Sequence, residues 1–444
     1  MFTLKTAPAR TFLRRAEEIA KPVTRWSIGH ALPRVALRAA ARRGDLQGRL
    51  SVEASGGTDL TGLFDEIRAH GAIATTRVGH VTTRHSACKE ILTSDAFKSV
   101  RFVPDNPLLN RLVTWSASGL IHPIEPPSLL ASEPPDHTRY RKLVTRVFTA
   151  RAVEQLRERT QAITDELLDG LDPANPVDLI ESYCGLLPVT VISQILGVPP
   201  EERDKVLALG GAAAPSLDLG LPWRTFRTVE ATLAEFDTWL TEHLEKLRAN
   251  PGDNLLSKLI AAREDGVGLT ERELKATAGL VLAAGFETTV NLLGNGIALL
   301  TAHPDQLRKL REDPGLWSNA TDEILRYDPP VLLTGRLCAR DTEVGGVPVA
   351  RGAIVSTVLA GANRDPEIFE DPGTFDVTRA NARDHVSFGA GRHYCLGASL
   401  ARMEGEIGLR SIFERFPGLR LREGARRRQT RILRGFERLP ATLT

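Results

Sequence analysis

The longest unbroken helical pattern in the chain runs from Thr270 to His303-Pro304. It opens on Thr270-x-x-Glu273, in which the threonine hydroxyl takes the third backbone amide and the carboxylate reaches back to the first. It closes at a proline that cannot continue a helix. At ~1.5 Å per residue such a helix spans roughly 50 Å, enough to cross a whole domain. Its middle, VLAAGFETTVNLLG, is apolar on most sides, so the rest of the chain has to wrap around it. The most hydrophobic window, Leu280 to Leu300, still holds Glu287, Asn291 and Asn295, which are costly in lipid. The expectation is therefore a buried helix and not a membrane span.

Glu287 and Thr288 cost stability in such a helix unless something partners them. Two readings stay open. Thr288 bonds back to the carbonyl of Ala284 and Glu287 finds a core partner. Alternatively, Gly285 admits a bulky ligand, Thr288 orients a bound oxygen or water, and Glu287 relays protons from solvent.

The second constraint is FGAGRHYCLGASLARMEGEIGLRSIF, Phe388 to Phe413. Leu396, Leu400, Met403, Ile407 and Ile412 recur at helical spacing, so Cys395 stands at or just before a helix N-terminus. The helix dipole and free backbone amides there favour an anion, which lowers a thiol's pKa. Gly389, Gly391 and Gly397 let backbone approach a flat, bulky group. A thiolate presented this way is a soft ligand suited to iron. The plainer reading is a buried structural cysteine.

The run Phe388, Gly391, His393, Cys395, Gly397 resembles the haem-binding loop of cytochromes P450. That resemblance makes Cys395 the proximal iron ligand, Phe388 the packing partner near its sulfur, and His393 a donor to a haem propionate; Gly389 belongs to the same loop. AGFETT resembles the oxygen-binding segment of that family, on Ala284, Gly285, Glu287, Thr288 and Thr289. In EPPDHTRYRKL, His137 and Arg141 share one helix face at i, i+4 and can hold one anionic group. The resemblance makes them propionate contacts, with Arg336 a third. Arg139, Lys142 and Arg146 point elsewhere around the same helix, where they either receive an acidic redox partner or simply face water. Glu323 and Arg326 in TDEILRYDPP match the family's Glu-x-x-Arg pair, with Arg379 as its third member, and are expected to hold the scaffold behind the cysteine loop. The style of the sequence resembles actinobacterial members of the soluble bacterial class.

Composition sets the remaining bounds. The 444 residues, 42% hydrophobic, can bury a large core. A formal charge of +2 gives no global argument for nucleic acid. Cys88, Cys184, Cys338 and Cys395 are far apart, match no zinc spacing and form no disulfide framework, which suits a reducing, cytoplasmic location. Residues 1–58 read as a basic extension with interspersed apolar side chains, and residues 1–45 as a segment able to lie on an anionic membrane surface or along the body. The folded body is expected from Asp59, with a helix to Arg68, two short strands around a Gly79-His80 turn, and a helix near Ser86 to Ser94. Lys98 to Ser132 reads as a long loop, and Ala150 to Leu247 as helical, with a mobile lid from Gly210 to Trp223. DTEVGGVPVARGAIVSTVLA reads as hairpin strands, and Arg426 to Arg428 as solvated surface.

These readings converge on a mainly α fold with a small β-rich region, a single P450-type domain over residues 59–444. The implied cofactor is haem b, with O2 as co-substrate and NAD(P)H serving only through partners. The implied activity is insertion of one oxygen atom into a C–H or C=C bond. The chain has no plausible flavin domain, no cluster-binding cysteine run and no Rossmann glycine fingerprint. Electrons must therefore come from a ferredoxin or flavodoxin with its reductase. Leu280, Ala283, Ala284, Val331, Leu332, Leu333 and Phe436 are candidates to line a pocket for an apolar lipid, terpenoid, steroid or polyketide-like molecule. A peroxide-driven enzyme of the same fold and a non-catalytic haem ligand-binding protein are the alternatives.

Overall fold

Glu271–Ala302 is a single helix in the computed structural model, which describes residues 7–100, 106–147, 154–263 and 266–444. Both halves of the capping box form: Thr270 Oγ1 accepts from the Glu273 amide, and Glu273 Oε2 accepts from the Thr270 amide at 2.8 Å. The helix is long and apolar enough to cross a membrane, yet two thirds of its most apolar window is buried inside the protein. It is a core helix.

The helix Ala398–Arg415, which follows the cysteine loop, packs on the C-terminal half of this central helix. Leu292 stands against Gly405, Leu293 against Gly408, and Leu409 fits against Gly296. Residue numbers rise together along both helices, so the two run in the same sense. Just over two turns before the Leu292–Gly405 contact, Ala284 therefore lies over the Cys395–Gly397 end. Leu186–Leu196 and Arg203–Ala213 close the other side of the central helix. Gly210 permits that approach, because a Cβ there would sit 1.9 Å from Phe286 Cζ.

The β-rich part is a five-stranded sheet in the order Ala74–Thr76, Gly79–Thr82, Ile354–Thr357, Thr334–Cys338, Phe97–Ser99, plus three smaller sheets. All neighbours in it pair antiparallel except Gly79–Thr82 with Ile354–Thr357. The expected hairpin forms between Thr342–Val344 and Val347–Val349. Gly79 opens its strand and pairs with Thr76, so the turn falls on Arg77 and Val78, two residues before the expected place.

Three further expectations change. Lys98–Ser132 is not one loop: Phe97–Ser99 is an edge strand, and Pro107–Ser116 is a helix capped by Asn106, whose Oδ1 accepts from the amides of Leu108 and Leu109. Gly210 and Gly211 lie inside a helix, and a 3₁₀ turn at Ala214–Leu217 follows, which leaves only residues 218–222 irregular before Trp223–Ala249. The packed body begins before Asp59, because Leu46, Leu50 and Ala54 of helix Leu46–Ala54 share a core with Leu60, Phe64 and Val81. Ala150, the expected start of the helical region, lies outside the described residues.

Candidate haem-thiolate site

Behind the cysteine loop stands a buried lock. Arg326 has no solvent exposure and donates through Nε and Nη2 to both oxygens of Glu323 at 2.7 and 2.8 Å. It also donates to the carbonyls of Asn363, Pro372 and Thr374. Arg379 Nε reaches the same carboxylate at 3.3 Å. Every donor of a buried guanidinium needs a partner, and these carbonyls tie the segment leading to the loop onto helix Trp317–Tyr327. Asp322, next to Glu323, takes Arg402 Nε at 2.7 Å and His385 Nε2 at 3.2 Å.

From that base the loop turns through Gly389 and Gly391, both with φ near +70°. A Cβ on Gly391 would meet the Leu92 carbonyl oxygen at 2.5 Å, so this glycine serves loop packing and not ligand approach. Gly397 differs: a Cβ there would meet nothing within 4 Å, and space opens beside the cysteine. The Cys395 amide donates to the Phe388 carbonyl at 2.9 Å, and Arg402 stacks 4.6 Å from the centroid of the Phe388 ring. Cys395 opens onto the cleft, whereas Cys88, Cys184 and Cys338 are buried.

The thiol itself departs from expectation. Protein encloses the sulfur on its remaining sides, and this desolvation pushes its pKa up despite the Gly397 amide and the Arg141 and Arg402 cations, which pull it down. In the protein alone burial outweighs the helix terminus.

Four predicted donors gather around the cysteine loop. Arg336, on strand Thr334–Cys338, is buried and its guanidinium bonds only Thr334 Oγ1 and the Gly335 carbonyl; among the described residues no carboxylate lies within ion-pair distance. Burial depresses its pKa, with Glu133 opposing. His137 is buried, and its Nε2 has no hydrogen-bond partner among the described residues. His393 packs against it with the rings tilted by 58° and their centroids 4.5 Å apart, and its Nε2 lies 3.3 Å from Ser99 Oγ and 3.5 Å from Glu133 Oε1. Burial, Arg336 and His137 hold His393 down at about 4, so its ring is neutral near pH 7. Arg141 Nη2 donates to the Tyr394 carbonyl at 2.8 Å. A buried cation without a counter-ion and an orphaned buried ring nitrogen are each costly. Both fit a flat group with two anionic tails seated between Cys395 and the exposed Ala284.

On the central helix, Thr288 Oγ1 donates to the Ala284 carbonyl at 3.0 Å, and Glu287 is buried. Its carboxylate lies 2.6 Å from Arg428 Nη1. Burial raises the Glu287 pKa against the pull of that arginine. The arginine cluster is therefore not simply solvated surface: Arg428 faces Glu287, and Arg427 pairs with Asp328 at 2.6 Å and covers the Phe436 ring. Only Arg426, pairing with Glu437, remains largely exposed. Gly285 also changes role, since the side a Cβ would occupy faces Ile192 at 3.0 Å and not the cleft. Of the pocket candidates, Leu332, Leu333 and Phe436 are core, whereas Leu280, Ala283, Ala284 and Val331 are incompletely buried. Arg139 is committed to Glu273 and the Gly268 carbonyl, and so leaves the basic face proposed for a redox partner; the Arg146 side chain lies outside the described residues.

Sequence reasoning passed over Glu404. It is fully buried beside Thr289, neither oxygen makes a well-aligned hydrogen bond among the described residues, and desolvation raises its pKa well above the ordinary carboxylate value.

The "Cytochrome P450" family model matches residues 215–314 and 316–430. The putative cytochrome P450 140 of Mycobacterium tuberculosis is 49% identical over 423 residues, 94% of this chain and 97% of that one. The chain belongs to the cytochrome P450 family. The 6-deoxyerythronolide B hydroxylase of Saccharopolyspora erythraea is 42% identical over 316 residues, 70% of this chain and 77% of that one. Among solved structures, P450BioI in complex with an acyl carrier protein ligated to hexadec-9Z-enoic acid superposes with a TM-score of 0.79 at 31% identity, covering 87% of this chain and 99% of that one. This P450 is accordingly of bacterial, actinobacterial type, a single-domain and mainly helical monooxygenase.

Proposed function

We propose that this P450 binds haem b through the sulfur of Cys395 and oxygenates an apolar small molecule of the polyketide or fatty-acyl kind. The observation that carries the cofactor assignment is that buried, under-partnered Arg336 and His137 both stand beside His393, on the same loop as the exposed Cys395. The relatives' macrolide and fatty-acyl ligands, together with the incompletely buried Leu280, Ala283 and Val331, support the substrate class.

Haem bound by a thiolate activates O2 for insertion of one oxygen atom into a C–H or C=C bond. The protein's residues do the remainder. His137, Arg141, Arg336 and His393 would hold the two propionates. Phe388, beneath Arg402, shields the sulfur from water. Thr288 spends its own proton on the Ala284 carbonyl, so its Oγ1 lone pairs would be free to accept from a water. Glu287 passes protons to that water from the Arg428 side, and its raised pKa suits a group that must both take and release them. Electrons arrive from a ferredoxin or flavodoxin with a reductase that draws on NAD(P)H.

The test is turnover of an apolar substrate selected by displacement of the iron-bound water. Thr288→Ala is expected to keep haem and substrate binding but to divert reducing equivalents to peroxide. Equal coupling in the variant and the parent would remove Thr288 from proton delivery. Turnover with peroxide alone, at the rate supported by a ferredoxin system, would remove the redox partners.

A further inference from the structure

The first helices pack along the body by one side only. Ala7–Trp26 continues through a π-helical turn, Ser27–Ala31, into Leu32–Arg42 with helical dihedrals at both joints. One side of this rod is anchored. Trp26 Nε1 donates to the Leu221 carbonyl at 2.9 Å and its ring meets Trp223 edge-on, while Arg25 bonds Glu230 and the Ser116 carbonyl. Farther along, Gly220 lies against Arg34.

The side next to it is apolar and bare. Ile19 is 68% exposed, Leu32 63% and Val35 67%, with Val23 also exposed. In an unbroken α-helix, at about 100° per residue, Leu32 and Val35 would fall on the far side from Ile19 and Val23. The π-turn accommodates one extra residue and so turns the second segment back by about 100°. That shift brings all four onto one face, and it places exposed Arg38 and Arg42 in line with them. The neighbouring helix Pro107–Ser116 adds a second bare stripe at i, i+4, i+7: Leu108, Leu112 and Trp115, with Lys21 5.7 Å from the Trp115 ring centroid. Leu219, in the loop the rod covers, is exposed as well.

Charge identifies the occupant. Residues 1–45 hold ten Lys and Arg against three Asp and Glu, a net +7, so the other 399 residues carry a net −5. Aliphatic side chains beside arginines on one face match the boundary between acyl chains and anionic headgroups. An acidic protein partner would meet the cations but leave the aliphatic stripe in water. We infer that this face docks the enzyme on an anionic lipid bilayer, with Ile19, Val23, Leu32 and Val35 entering the acyl boundary and the arginines resting on the headgroups. This goes beyond the oxygenase reading and does not depend on it.

The experiment is co-sedimentation of the full-length holoprotein with phosphatidylcholine vesicles, with and without phosphatidylglycerol. Binding is expected to need the anionic lipid and to weaken with salt. Each aliphatic side chain that enters the bilayer is worth about one decade of partitioning. Ile19→Asp/Val35→Asp, which removes two of them, is therefore expected to lower the vesicle affinity about a hundredfold, and Arg38→Glu/Arg42→Glu to abolish the preference for anionic lipid. All four sites are solvent-exposed, and an unchanged haem spectrum and melting temperature verify that each variant is folded. Undiminished sedimentation of Ile19→Asp/Val35→Asp would overturn the inference. So would binding to an acidic carrier protein or ferredoxin with none to anionic vesicles.

Discussion

Arg428→Met tests whether the acid of the central helix depends on a cation supplied from 141 residues away in sequence. The two side chains are 2.6 Å apart, with 19% and 6% of their surfaces exposed. Removing one member of a buried pair costs ~3–5 kcal/mol when the other stays charged. Glu287 has an escape, since it can take a proton. Neutralising an ordinary glutamic acid at pH 7 costs about 3 kcal/mol, at ~1.4 kcal/mol per pKa unit, and Glu287 starts from a pKa already raised by burial. The expected loss at pH 7 is therefore about 2–3 kcal/mol. Without Arg428 the folded-state pKa rises further above the unfolded one, and the defect grows as pH climbs past the unfolded value. Urea unfolding followed by circular dichroism at about pH 5 and about pH 7 should show a smaller loss at the lower pH. Glu287→Gln/Arg428→Met removes the stranded charge and should recover at least ~1 kcal/mol. Parental stability of Arg428→Met at both pH values, or no recovery in the double variant, would refute the coupling.

Two further perturbations follow from packing and charge. Gly210→Ala gains up to ~1 kcal/mol of helix propensity, but its methyl would lie 1.9 Å from a fully buried phenylalanine ring. Overpacking of ~1–3 kcal/mol should win, read as a lowered urea midpoint. At Glu273, burial alone would raise the pKa, yet Arg139, the Thr270 amide and the Tyr140 hydroxyl hold it at about 2. This carboxylate stabilises the fold fully above its ordinary pKa near 4.5 and loses that contribution as pH falls toward 2. Glu273→Gln should thus lower the melting temperature near pH 7 and shift it progressively less through that acid window; a constant shift would contradict the assignment.

What could be read from the sequence was local. The capping box at Thr270 and Glu273 fixes the start of the central helix within one turn, and the cysteine loop carries its own glycine pattern. The helix Pro107–Ser116 had a signal in Asn106-Pro107, a cap followed by a proline at the first helical position, but its apolar stripe faces outward and does not look like a core face. Leu46, Leu50 and Ala54 were spaced for burial too, and the arginines around them masked it. Pairings across the chain leave no local trace. Nothing near Arg428 points to Glu287, nothing near Gly285 points to Ile192, and Glu404 reads as one charge on an amphipathic helix until Thr289 is packed against it. The thiol pKa shows the same limit, because a helix N-terminus is visible in sequence and the wall that desolvates the sulfur is not.

The account rests on sulfur from Cys395 reaching the iron of a bound haem, and the absorption spectrum of the reduced carbon monoxide complex tests it most directly. The parent should give the thiolate-type band, Cys395→His a histidine-type band, and Cys395→Ala neither. A thiolate-type band surviving in Cys395→Ala, or nitrogen at the axial position of the parent, would contradict it.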